Sequence, residues 1–151
     1  MHVGFAIGRV IVGLYYLSSA LNGFLNLEMM SGYAGAMGVP APRVAVIVSH
    51  LLLLLAAICI LTGWKPMLGV VALVIFFLPV TFIMHGFWRV QDPARRMADM
   101  VNFTKNVGLM GSALMFLAIP QPWRWSATAG TAAPRGTVWL PPAAPLPLAA
   151  G

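Results

Sequence analysis

Charged side chains are scarce in this sequence. Asp, Glu, Lys and Arg together make up 8% of its 151 residues, and only three of them are acidic. A soluble domain usually has about 25% charged residues, and a chain of this length buries only about two-thirds of its unfolded surface. The shortage of charge, together with a mean hydropathy of +0.89, therefore excludes a soluble globular domain and a disordered chain.

Cysteine and clustered metal ligands are nearly missing as well. Cys59 is the one cysteine, so neither an intrachain disulfide nor a Cys-x-x-Cys dithiol is possible. The three histidines, His2, His50 and His85, show no metal-ligand spacing, and we expect no protein-only metal site. Nine Lys and Arg residues are spread along the chain without forming a basic stripe, which speaks against nucleic acid as a partner.

Long apolar runs dominate what is present, because 60% of the residues are hydrophobic. A helix needs about 20 residues to cross roughly 30 Å of hydrocarbon. Stretches near this length lie at residues 3–27, 44–62, 66–84 and 103–119. Helices that are apolar on every face cannot all be interior in so small a soluble protein. The sequence thus predicts an all-α fold: an integral membrane four-helix bundle over residues 1–120, surrounded by the lipid bilayer.

The connecting segments are expected to be irregular. Residues 29–42, rich in Gly, Ala and Met, are predicted to form a loop. After Pro93 the chain is either a helix lying in the headgroup plane or a solvated loop. The apolar face of that helix would comprise Met97, Met100 and Val101. The three acids, Glu28, Asp92 and Asp99, are all placed in these loops. Four tryptophans fall at predicted span ends, as in an aromatic belt: Trp64, Trp88, Trp123 and Trp125.

Residues 121–151 form a Pro/Ala-rich C-terminal tail with six prolines and eight alanines. Such a composition favours an extended polyproline conformation over helix or sheet. Two interpretations stay open: a disordered tail, or an ordered strap bound to a partner protein.

Small residues on two predicted spans are candidates for helix contacts, since close packing drives helix association in lipid. They are Gly4-x-x-x-Gly8, Gly13, Ser18 and Ser19 in the first span, and Gly108, Gly111 and Ser112 in the fourth. These faces predict packing within the bundle or against other membrane subunits.

Polar residues in and beside the spans are the candidates for a binding site, and no catalytic constellation is present. His50 lies inside the second span, where an ionisable side chain is a functional candidate, although one hydrogen bond would make it a neutral structural histidine. Thr81 and His85, four residues apart, share one helical face. With Trp88, Lys105 and Asn106 they form either a pocket for a quinone or lipid headgroup, or a polar cluster that holds two helix ends at the interface.

Several short segments in this order resemble the DoxX family of small four-helix membrane proteins over about residues 5–118. They are Gly8-Arg9, Tyr33 followed by Gly38-Val39-Pro40, Thr81-x-x-x-His85-x-Phe87-Trp88, and Lys105-Asn106-x-x-Leu109-x-Gly111. The resemblance implies a link to membrane complexes that handle thiol and oxidative stress, or to quinone-linked thiosulfate oxidation. The family often carries an acidic residue in the second span, where this chain has Ser49-His50.

The expected function is that of a DoxX-like accessory subunit of a membrane redox or energy-converting complex, without catalytic activity of its own. A quinone or bound lipid is the cofactor that the pattern allows. The alternative is a quinone-interacting oxidoreductase component of the thiosulfate:quinone type, with His85 and Lys105 holding the headgroup and His50 handling protons. A small-solute transporter is a third possibility. The resemblance implies a bacterial inner membrane with both termini in the cytoplasm.

Overall fold

The computed structural model describes residues 2–123 and 125–127, and residues 128–151 of the tail lie outside the described residues. The described part contains helices and turns and no strand, as the sequence predicts. Its α-helices are α1 (His2–Leu25), α2 (Leu27–Ala36), α3 (Pro42–Thr62), α4 (Pro66–Pro79) and α5 (Pro93–Met115). A π-helical turn (Val80–Met84) follows α4, and 3₁₀ turns occupy Phe87–Arg89 and Phe116–Ala118.

Prolines and residues in the left-handed backbone conformation mark the ends of α3 and α4. Pro42 and Pro66 stand in the first turn of α3 and α4, where a missing N–H costs no hydrogen bond. Gly63 ends α3 with a φ of +67°, and Lys65 takes a φ of +45° just before α4. A tight turn between α3 and α4 therefore forms at these residues.

Three helical segments of the described chain are long and apolar enough to cross a membrane: Val3–Leu25, Pro42–Thr62 and Pro66–Arg89. They correspond to the first three predicted spans. The fourth predicted span falls in the second half of α5 and the 3₁₀ turn after it. Only about 12 residues after Asn106 lack both charge and strongly polar side chains, which is roughly 18 Å of helix. The fourth span therefore stays a prediction.

The prediction of a loop over residues 29–42 is wrong for most of its length. The chain continues as helix α2 after a single break at Asn26, and α2 packs on α3 with Ser31 and Ala34 buried. Glycine in a helix costs about 1 kcal/mol relative to alanine. Packing of α2 on α3 offsets that cost. The local sequence does not reveal this contact.

The segment before the fourth span is helical from Pro93 onward and continues without a break through Met115. Asp92 caps this helix, its carboxylate accepting from the Arg95 backbone N–H at 2.7 Å. The segment is therefore a helix and not a loop, with Met97 and Val101 exposed, and its position in the headgroup plane stays a prediction. The predicted loop positions of two acids are wrong, since Glu28 lies in the first turn of α2 and Asp99 lies within α5.

The core lies where α1, α3 and α4 meet. Its larger side chains are Tyr16, Leu53, Ile60, Leu73 and Phe77. Small residues let the helices approach: a Cβ at Gly13 would lie 2.5 Å from the Leu61 side chain, and one at Gly69 would lie 2.8 Å from that of Cys59.

Of the predicted small residues, Gly13 packs within the bundle, whereas four other glycines on the first and fourth predicted spans do not. A Cβ added at Gly4, Gly8, Gly108 or Gly111 would meet nothing within 4 Å. These glycines therefore lie on outward surfaces in the described part of the chain.

The first residues of the tail pack against one end of the bundle. Trp123 is 1% exposed, with ring contacts to Phe5 and Phe116 at centroid distances of 5.1 and 5.5 Å. The buried Arg9 side chain donates to the Trp125 carbonyl at 3.0 Å. Trp123 is thus a packing residue and not, as predicted, part of an aromatic belt.

Candidate functional site

His85 follows the π-helical turn and forms the centre of the site. Pro79 inside the preceding helix removes a backbone donor, and the chain passes through the wider turn Val80–Met84 before it leaves the helix. Such π-helical turns frequently accompany functional sites. The turn brings the His85 ring toward α5.

The partner of His85 is Asp99, for which the sequence predicts a loop position and no role. His85 Nδ1 lies 3.1 Å from Asp99 Oδ1, and the carboxylate is buried with Asp99 only 4% exposed. Arg95 Nε lies 3.9 Å from the other carboxylate oxygen. The pair therefore joins the end of the third span to the first turns of α5.

The signal for this contact was present in the sequence. A helix that starts at Pro93 places Arg95 and Asp99 one turn apart, and places Asp99 two turns before Asn106 on a similar face. A helix interpreted as a separate surface element does not predict a continuation into the fourth span, which is why the sequence alone misses the contact.

Asn106 comes to the same region as His85, whereas its neighbour Lys105 does not. Asn106 is 6% exposed and lines a small cavity together with His85. The exposed Lys105 ammonium donates to Asn102 Oδ1 at 2.9 Å. Successive residues of a helix point about 100° apart, so only one of the two can face the bundle.

Thr81 and Trp88 stand apart from the cavities. Thr81 is fully buried, and its hydroxyl has no hydrogen-bond partner among the described residues. Trp88 is half exposed and packs with Phe87 and Phe103 at centroid distances of 5.3 and 5.6 Å. The structure therefore places Trp88 in an aromatic cluster beside the site.

His50 on α3 is held by its own helix. Its Nδ1 lies 2.7 Å from the Val46 carbonyl oxygen and 3.2 Å from Ser49 Oγ. The ring packs toward Phe24 at a centroid distance of 6.0 Å. Nδ1 of His50 therefore makes its contact within α3.

His50 and His85 both line an apolar cavity of about 390 Å³. The cavity lies between α2, α3, α4 and the π-helical turn. Tyr33 and Ile83, which are partly exposed, belong to its lining. Pockets for small organic ligands typically have about 300–1,000 Å³, mostly apolar walls and a few polar groups. The cavity has the size and composition for an apolar ring molecule.

A second cavity of about 120 Å³ lies behind His85. His85, Phe76 and Val80 line both spaces. Tyr16, which lines the small cavity, is 1% exposed, and its hydroxyl has no partner among the described residues. His85 therefore lies between the larger, apolar cavity and the smaller, more polar cavity.

The family model for DoxX matches residues 4–86 of the chain. This chain belongs to the DoxX family. It is also similar to the inner membrane protein YphA of Escherichia coli (strain K12), with 28% identity over 116 residues, covering 77% of this chain and 81% of that protein. No solved structure matches the chain significantly.

Membership of the DoxX family and the three apolar helices together make this an integral membrane protein with an all-α bundle. The DoxX match includes His50, Thr81 and His85 and ends before α5. Asp99 and Asn106, which complete the surroundings of His85, therefore lie beyond the matched segment.

Proposed function

We propose that this DoxX protein is a non-catalytic accessory subunit of a redox or energy-converting complex in a bacterial inner membrane, and that it holds a quinone-type lipid in its larger cavity. The observation that carries the proposal is the 390 Å³ apolar cavity with His50 and His85 in its lining. The inner-membrane location is proposed from YphA, whose name states it.

The lining suits a headgroup that enters from lipid. Phe76, Val80 and Ile83 supply an apolar wall, and the two histidines supply polar atoms at separate points. A quinone-type headgroup is an apolar ring with polar atoms at opposite edges. Its ring would pack against the apolar side chains, and its polar atoms would contact the histidines.

The outward glycines support a role beside other subunits. Gly4 and Gly8 on α1, and Gly108 and Gly111 on α5, have open space around them. In lipid, such small residues allow another helix to approach closely. These faces and the C-terminal tail are the proposed contacts with partner subunits.

Ligand binding is tested by filling the cavity. Ala45 lines the cavity on α3, while Val48 on the same helix is exposed, so Ala45→Phe and Val48→Phe form a matched pair. We expect lipid extracts of the purified wild type and Val48→Phe to contain quinone-type lipids at near-stoichiometric amounts, and those of Ala45→Phe to lack them. Equal amounts in all three preparations, or none in the wild type, would refute the proposal.

Association with partners is tested on native gels after gentle detergent extraction. We expect the wild type to migrate with larger subunits, and Gly8→Leu to migrate alone. Val71→Leu, on an exposed face of α4, is the control and should behave as the wild type. A truncation after Ala127 tests the tail in the same assay. A monodisperse wild-type monomer, with normal assembly of the other subunits in its absence, would contradict the accessory role.

The His85–Asp99 pair favours a second candidate, a quinone-interacting oxidoreductase component of the thiosulfate:quinone type. A histidine oriented by a buried carboxylate is a suitable proton donor or acceptor beside a ligand. This candidate predicts that His85→Ala lowers quinone-dependent turnover while assembly stays intact. Lys105→Gln is the control, since Lys105 is exposed and bonds to Asn102. Unchanged turnover in His85→Ala would eliminate this role.

A further inference from the structure

The smaller cavity, of about 120 Å³, differs in chemistry from the larger one. Five of its nine lining residues carry polar side chains: Tyr15, Tyr16, Ser19, His85 and Asn106. The cavity extends from the middle of α1 to the part of α5 where the fourth predicted span begins. A polar group buried at such a place is costly unless it is hydrogen-bonded, so the partners of these side chains indicate what the cavity binds.

Two of the polar residues need no ligand from the cavity. Ser19 Oγ donates to the Tyr15 carbonyl oxygen at 2.9 Å. Tyr16 contributes its ring to the wall, because its hydroxyl is enclosed by protein atoms.

Asn106 is the buried polar side chain in the lining that still needs partners. The residue is 6% exposed, and its amide forms no hydrogen bond with the described residues. An asparagine amide has two hydrogens to donate and an oxygen that accepts. Since buried polar groups are almost always hydrogen-bonded, Asn106 requires a ligand that can both donate and accept.

His85 lines the same cavity and sets a compatible requirement. Its Nδ1 is engaged by Asp99 Oδ1 at 3.1 Å. The other ring nitrogen donates in one protonation state of the ring and accepts in another. A ligand that can do both therefore suits His85 in either state.

Size and hydrogen-bonding capacity together limit the occupant. An acyl chain neither donates nor accepts, and a lipid ester or a quinone carbonyl only accepts. Water does both, and one water needs about 10–15 Å³ of such space and two to four polar partners. A cavity of about 120 Å³ has room for several water molecules.

From these observations we infer that the smaller cavity binds a cluster of internal water molecules, which hydrates Asn106 and reaches the ring of His85. This site is separate from the larger cavity and does not depend on a ligand there. His85 lines both cavities. The cluster therefore keeps this histidine in contact with water while an apolar ligand occupies the larger cavity.

Water-edited solid-state NMR of the isotope-labelled, full-length protein in phosphatidylethanolamine and phosphatidylglycerol vesicles tests the site. It measures how fast magnetisation passes from water protons to nearby carbon atoms. We expect Asn106 Cγ to receive it as rapidly as Cδ of Gln91, which is exposed in the segment before α5. The Ala113 methyl, 1% exposed on the same helix as Asn106, should receive little and is the reference for a dry core.

Ser18 and Ser19 provide a matched pair of variants. Both hydroxyls donate to the Tyr15 carbonyl oxygen at 2.9 Å, and Ser19 is the one of the two that lines the cavity. We expect Ser19→Leu to fill the cavity and to abolish the transfer from water to Asn106, whereas Ser18→Leu should retain it. Ala45→Phe, which fills the larger cavity, should retain it as well.

The wild-type measurement alone is able to overturn the inference. Transfer to Asn106 that is no faster than transfer to the Ala113 methyl would show a dry cavity. Faster transfer from lipid-chain protons than from water protons would show that an acyl chain occupies it. An undiminished water signal in Ser19→Leu would place the water outside the cavity, and loss of the signal in Ala45→Phe would show that the two cavities do not act separately.

Discussion

The imidazole ring of His50 occupies the space beside Gly23 of α1, where any Cβ would overlap its Cδ2 and Nε2 atoms. The contact joins the second predicted span to the first at the level of the larger cavity. A glycine at this position is therefore required by the histidine opposite it.

Gly23→Ala should displace the His50 ring. Overpacking a tightly packed site typically costs about 1–3 kcal/mol, so we expect a lower free energy of unfolding in a denaturant titration. Retention of a quinone-type lipid in the larger cavity should also weaken, because His50 lines that cavity. The control is Gly4→Ala on the same helix, where nothing lies within 4 Å of a Cβ. That change should leave stability unchanged or raise it by up to about 1 kcal/mol. Equal effects of the two changes would contradict the contact.

The His85–Asp99 pair should show energetic coupling. A double-mutant cycle with His85→Ala and Asp99→Ala is expected to give a coupling energy of about 1–3 kcal/mol, because each single change leaves a buried polar group without its partner. The exposed pair Arg43–Glu28, at 3.0 Å, provides the reference and should give less than about 1 kcal/mol. Equal coupling in the two cycles would show that burial of Asp99 adds nothing.

Trp123 should stabilise the bundle although it lies beyond the predicted spans. Trp123→Ala removes a fully buried ring from between Phe5 and Phe116, and we expect a loss of about 3–5 kcal/mol. Trp64→Ala removes a half-exposed ring that contacts the Lys65 ammonium at 4.9 Å, and should cost about 1 kcal/mol or less. Thermal unfolding of the two variants, side by side, measures the difference. A small effect for Trp123 would mean that the start of the tail is not packed as described.

Sequence reasoning predicts the helices of this protein better than it predicts their contacts. Apolar length is a local property, so the first three spans follow from hydropathy alone. Helix α2 was missed because its glycines argue locally against helix, and packing on α3 overrides them. Asp99 was missed for a related reason: its burial depends on α5 continuing unbroken from Pro93.

In the candidate site, too, the sequence predicts some of the residues but not all of their contacts. His85 and Asn106 were both predicted, and the structure brings them to one cavity. Lys105 and Trp88 were grouped with them because they are near in sequence to a predicted membrane surface, yet one faces outward and the other packs with phenylalanines. Distance from a membrane surface does not specify rotation about a helix axis, which requires the packing partners.

Whether the two termini lie on the same side of the membrane depends on the fourth predicted span. If residues 103–119 cross the membrane, the two termini lie on the same side, and we expect both on the cytoplasmic side. Reporters that are active only outside the cytoplasm, fused in turn before Met1 and after Gly151, should both be inactive. Activity of one fusion and not the other would mean three crossings, with α5 lying against the bundle without spanning. Activity of both would reverse the orientation.

The most direct test of the account is to photolabel the protein in its native membrane with a quinone analogue that carries a diazirine. The account predicts that labelled peptides come from residues 30–50 and 76–85, which line the larger cavity, and that Ala45→Phe abolishes this labelling while Val48→Phe does not. Labels spread evenly over the lipid-facing helix surfaces, or labelling that survives Ala45→Phe, would contradict it.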